Sequence, residues 1–165
     1  MSPQIACPAR GGYIAHMFAD LIRRLTEPAP QPFSDHDARH ALAALLVRVA
    51  RTDGYYAPDE IDLIDRILAA RYGLTPEAAS DLRRDAEELE AGAPDTVRFT
   101  RAIKEAVAYD HRLAVIESLW EVALADGHRE AEEDALLRVV ASLLGVNDRD
   151  SNIARKKAAE KGAGA

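Results

Sequence analysis

Apolar residues recur every three or four positions along most of this chain, the spacing of helices that bury one face. The first stripe is Ile14, Met17, Phe18, Leu21, Ile22 and Leu25, with Asp20, Arg23 and Arg24 off it. Pro28, Pro30 and Pro32 stop that helix and make residues 26–34 a linker, because proline lacks a backbone donor and restricts its predecessor. A second stripe, Ala41, Leu42, Leu45, Leu46 and Val49, follows a cap at Ser34 or Asp35 and ends at Gly54. The third begins near Pro58, carries Ile61, Leu63, Ile64, Ile67 and Leu68, and stops at Gly73. Thr75-Pro76-Glu77 reads as cap, first-turn proline and acidic dipole partner of a helix to about Glu90.

Beyond Gly92 and Pro94, Asp95 or Thr96 starts a helix through Phe99, Ile103 and Val107. Tyr109-Asp110-His111 holds no strong breaker, so a bend and a short break fit equally. Leu113, Ile116, Leu119, Trp120 and Ala123 mark the next helix, with Trp120 on its core side, and it stops at Asp126-Gly127. Leu136, Leu137, Val140, Leu143 and Leu144 mark another, closed by Gly145. Asn147 or Asp148 caps a last helix ending in Arg155-Lys156-Lys157, where positive charge suits the C-terminal dipole. No segment alternates with the period of a strand. The pattern predicts an all-α fold, a compact bundle of seven to eight helices.

At 165 residues the chain fits one domain, expected over residues 13–160, with disordered tails at 1–12 and 161–165 and an alternative start at Met17. A net charge of −7 would repel nucleic-acid phosphate, so no nucleic-acid partner is expected. Cys7 is the only cysteine, which excludes an intramolecular disulfide and suits a reducing compartment. No apolar run approaches the roughly 20 residues that span a bilayer, and no secretory signal opens the chain. A cytoplasmic protein is expected, with any membrane contact peripheral.

The pattern repeats. A shift of 73 residues places Asp53 on Asp126, Gly54 on Gly127, Glu60 on Glu133 and Leu63 on Leu136. The halves span about 36–73 and 111–146 and imply an internal pseudo-twofold duplication. Packed around such an axis, the two Asp-Gly turns would bring four carboxylates together. Like charges that close destabilise a fold unless a cation neutralises them. Oxygen-only ligands suit a hard divalent ion, calcium before magnesium or manganese. Asp53, Gly54 and Glu60 fall on the fifth, sixth and twelfth positions of a calcium loop, but Val49 and Arg51 occupy its first and third. Val122 and Leu124 do so in the second copy, so a site must be shared between copies. The competing reading is structural: Asp-Gly ends a helix, and Glu60 and Glu133 satisfy the first-turn amides of the next.

The segments Val49 to Gly54 with Glu60, Phe99 to Glu105, Leu119 to Gly127 with Glu133, and Leu143-Leu144-Gly145-Val146 resemble the TerB family, the tellurite-resistance B-like proteins. The likeness covers about residues 36–155. That family resembles the N-terminal domain of membrane-anchored DnaJ-type cochaperones, although no His-Pro-Asp motif occurs here. The resemblance implies an all-helical duplicated fold, acidic residues proposed to chelate metal at Asp53, Glu60, Asp126 and Glu133, and a role in stress-response assemblies near the membrane.

Other chemistry finds little support. Of the five histidines only His36 and His40 share a helix face at metal-ligand spacing, without a third ligand. There is no phosphate-binding loop, dinucleotide fingerprint or nucleophile elbow, and no enzyme is expected. The Met17–Leu25 stripe suits docking on its own domain, a contact with a protein partner or twin subunit, or a peripheral membrane contact at the inner face. The expected function is a non-enzymatic, cation-binding, partner-binding module. Its alternative is a metal-free helical scaffold working through an apolar groove.

Overall fold

The computed structural model describes residues 19, 21–23, 25, 33–52, 54–93, 95–125 and 131–164. Within these residues the chain forms seven named helices and no strand: α1 (Asp35–Ala50), α2 (Pro58–Tyr72), α3 (Pro76–Gly92), α4 (Val97–Ala106), α5 (Tyr109–Ala123), α6 (Ala131–Leu143) and α7 (Asp148–Ala163). Ala19, Leu21 to Arg23 and Leu25 are also helical, and Leu21 and Leu25 join the core. The tail at 1–12 and the start of the first stripe lie outside the described residues.

Local chemistry sets the starts. Ser34 caps α1 in a reciprocal box, its Oγ accepting from Asp37 N (3.2 Å) while Asp37 Oδ2 accepts from Ser34 N (2.8 Å). Thr75 caps α3 and Asn147 caps α7, each side chain accepting from an amide three residues on. Gly73 and Gly145 end α2 and α6 with φ of 61° and 74°, where a residue with a Cβ would be strained.

Helix α1 is apolar nearly all round, with Ala41 to Val47 buried without a break. It is the centre of the bundle, with α3, α4 and α5 packed around it. The most extensive packings are α5 with α7 and α1 with α3, and α1 also packs on α5. The duplication therefore runs further than the sequence halves indicated: α1-α2-α3 corresponds to α5-α6-α7, and α4 bridges the two units. Phe99, Ile103, Ile116 and Leu119 are fully buried where the units meet α4 and α5.

Two arginines complete helix ends that the sequence leaves uncapped. Arg48 donates to the carbonyls of Glu90 and Ala93 (3.4 and 2.9 Å) at the end of α3. Arg112 donates to those of Lys104, Val107 and Leu144 (2.9, 2.9 and 3.3 Å), which fixes a break at Val107-Ala108 between α4 and α5. Helix α7 continues through Ala163, past the expected end at Lys157 and into the segment expected to fray. Ala158 buries its methyl there, and Lys161 Nζ bridges Glu117 and Glu121 of α5 (2.6 and 3.0 Å).

Candidate functional site

The first Asp-Gly turn leaves α1 through Arg51 and Thr52, whose Oγ1 donates to Arg48 O (2.9 Å). Gly54 donates its N–H to Arg51 O at 3.0 Å and has φ of +80°, a conformation that favours glycine. Pro58 then opens α2, and Glu60 lies three residues into it. Its Oε2 accepts the Ala57 N–H at 2.8 Å, and the residue is only 7% exposed. Glu133 holds the same place in α6, because α2 and α6 begin 73 residues apart, and it is only 3% exposed. Asp53 and Asp126 lie outside the described residues. The structure therefore places two of the four expected ligands, and both are sheltered from water at equivalent first turns.

Among the described residues no group of three or more His, Cys, Asp or Glu side chains stands together in a metal-binding arrangement. Glu60 serves as a helix cap, as the structural reading expected. Capping occupies Oε2 with one amide, and a carboxylate oxygen has a second lone pair.

His36 and His40 stack on α1 with ring centroids 4.4 Å apart. His40 Nδ1 meets His36 O at 3.0 Å and its Nε2 lies 3.7 Å from Asp85, so both its ring nitrogens are engaged by protein oxygens. Burial, helped by the neighbouring His40, holds the His36 imidazole below its ordinary 6.5, with Asp37 and Asp85 pulling the other way. The unfolded chain thus takes up this proton first as pH falls. The contribution is fully present above 6.5 and is lost on the descent through the lower folded value. His36→Gln is expected to shrink the difference in urea-unfolding stability between about pH 7.5 and about pH 5. An undiminished difference would remove His36 from the acid response.

A larger feature was not legible in the stripes. A groove of about 560 Å³ lies between the start of α1, the end of α2 and the α4–α5 break. Its floor is made by Ala38, Ala106, Val107, Ala108 and Ala114, and Arg39 and Arg71 flank it. Both guanidiniums lie over the Tyr72 ring, 4.6 and 5.8 Å from its centroid. No helix among the described residues is long and apolar enough to cross a membrane.

The described residues form an all-helical domain of two equivalent three-helix units, each with a buried acid at the start of its second helix. The family described as Tellurite resistance protein TerB matches residues 39–156, most of the chain, and the protein belongs to the TerB family. No curated protein and no solved structure matches it.

Proposed function

We propose that this TerB-family protein is a non-enzymatic module that binds a divalent cation, calcium first, through Asp53, Glu60, Asp126 and Glu133. The ion would tune its binding to a protein partner in a tellurite-resistance-type stress response in the cytoplasm. One observation carries the reading: Glu60 and Glu133 are both buried at the same position of equivalent helices, each preceded in the sequence by the pair Asp-Gly at the same spacing. A buried carboxylate is costly to keep, and its oxygens are held rather than tumbling in water. Fixed oxygens from two turns suit a calcium shell, which neither turn could supply alone.

Calorimetric titration with calcium, magnesium and manganese tests it. Binding tighter than about millimolar is expected, within the range of extracellular and sensor calcium sites, and Asp53→Asn or Asp126→Asn should each weaken it by tenfold or more. Absence of binding, or binding indifferent to both substitutions, would leave the acids as caps.

The groove supports a second reading. Its alanine floor between two arginines is complementary to a short apolar segment carrying acidic residues, in a protein that is otherwise acidic. Such a module would need no metal.

A further inference from the structure

Extending the duplication to its third helix exposes a difference between the two units. A shift of 72 residues places Ala79, Leu82, Arg83 and Ala86 of α3 on Ser151, Ala154, Arg155 and Ala158 of α7. Arg83 is neutralised by Asp65 of α2 (2.6 Å) and by Glu87 (2.7 Å). In the second unit the counterpart of Asp65 is Arg138, and that of Glu87 is Ala159. Both acidic partners are gone, and one has been replaced by a second cation.

The consequence is visible in the packing. Arg138 and Arg155 line a pocket of about 230 Å³ with Trp120, Asp134, Asp148 and Ser151. Arg155 is half-buried, and its Nε is buried with no hydrogen-bond partner among the described residues. Neither arginine is in an ion pair among the described residues. The Trp120 indole N–H donates to Ser151 Oγ only at the long distance of 3.5 Å. A buried guanidinium nitrogen without an acceptor is costly, whereas Arg138 is exposed and the two arginines of the wall are balanced in charge by Asp134 and Asp148. An oxyanion would supply that acceptor, since guanidinium forks match its oxygens.

We propose that the pocket between α5, α6 and α7 binds a small protonated oxyanion of the phosphate class, held by Arg138 and Arg155. Protonation enters because the wall also carries carboxylates, that of Asp134 and, at the start of α7, that of Asp148. Hydrogenphosphate has an O–H to donate to one of them, and sulfate at neutral pH has none. The site is distinct in chemistry from the carboxylates of the cation reading and stands without them.

The chain has a single tryptophan, so the Trp120 indole N–H gives one assignable resonance from inside the pocket. Titrating the protein with inorganic phosphate at constant ionic strength should move that resonance to saturation, with chloride having no such effect. At phosphate tenfold above its Kd, the midpoint of thermal unfolding should rise by roughly 3–6 °C. Sulfate should bind at least about fivefold more weakly, the factor one hydrogen bond supplies. Arg138→Asp restores the acid that Asp65 provides in the first unit; it should abolish the response while unfolding at or above the wild-type temperature. Arg155→Gln should abolish it as well. A shift that grows without saturating, that chloride reproduces, or that survives in Arg138→Asp overturns the site. Sulfate binding as tightly as phosphate overturns the role given to the carboxylates.

Discussion

Replacing Arg83 by methionine is expected to destabilise the protein by about 3 kcal/mol, lowering the unfolding midpoint by roughly 6–12 °C for a chain of this size. The residue is 8% exposed, and its side chain links three residues: Nε to Asp65 Oδ1 at 2.6 Å, one terminal nitrogen to Glu87 Oε1 at 2.7 Å, the other to Ser80 Oγ at 3.0 Å. Tyr56 OH also donates to Glu87 Oε1 (2.9 Å), so the network ties the turn before α2 to α3. Methionine keeps most of the volume but leaves two half-buried carboxylates facing one another. The cost thus comes chiefly from the orphaned partners. Adding Asp65→Leu to Arg83→Met should recover a large part of it, since replacing a buried pair by apolar groups approaches neutrality. Chemical denaturation of the single and double variants decides: a loss below about 1 kcal/mol in the single variant would mark the network as surface ornament.

That network also shows where the sequence is legible and where it is silent. The helices follow from stripes and punctuation, and the caps resolve as local chemistry dictates: Ser34 rather than Asp35, Asn147 rather than Asp148. The all-helical class and the TerB resemblance both hold, the latter over residues 39–156. What local chemistry does not determine is decided by distant residues. The break at Val107-Ala108 lacks a breaker because its stabiliser is Arg112, reaching back to the carbonyls of α4. Helix α7 outruns its expected end because Lys161 finds two glutamates on α5, a match that exists only once the helices pack. The repeat halves ended at residues 73 and 146 because α3 and α7 share few identities. Their common pattern is one of burial, and only with that pattern does the exchange of Asp65 for Arg138 become visible.

For the acids the structure sharpens the test. Glu60 has a capping role that accounts for its burial without any ion, since Ala57 N–H needs an acceptor. Glu133 holds the equivalent place in α6, and the test can be made there. If the two turns hold calcium, saturating the wild-type protein at a hundredfold excess over Kd should stabilise it by about 2.7 kcal/mol, raising the unfolding midpoint by roughly 5–10 °C. Glu133→Gln keeps shape and hydrogen-bonding capacity while removing a charge and a bidentate ligand. It should abolish most of that calcium-dependent rise, whatever its effect in chelator. If Glu133 only satisfies the first turn of α6, the variant should lose the same stability in chelator as in calcium, because a helix cap is indifferent to free cation. Scanning both proteins in both solutions separates the readings by an interaction between residue and ion, which a change in either baseline cannot imitate.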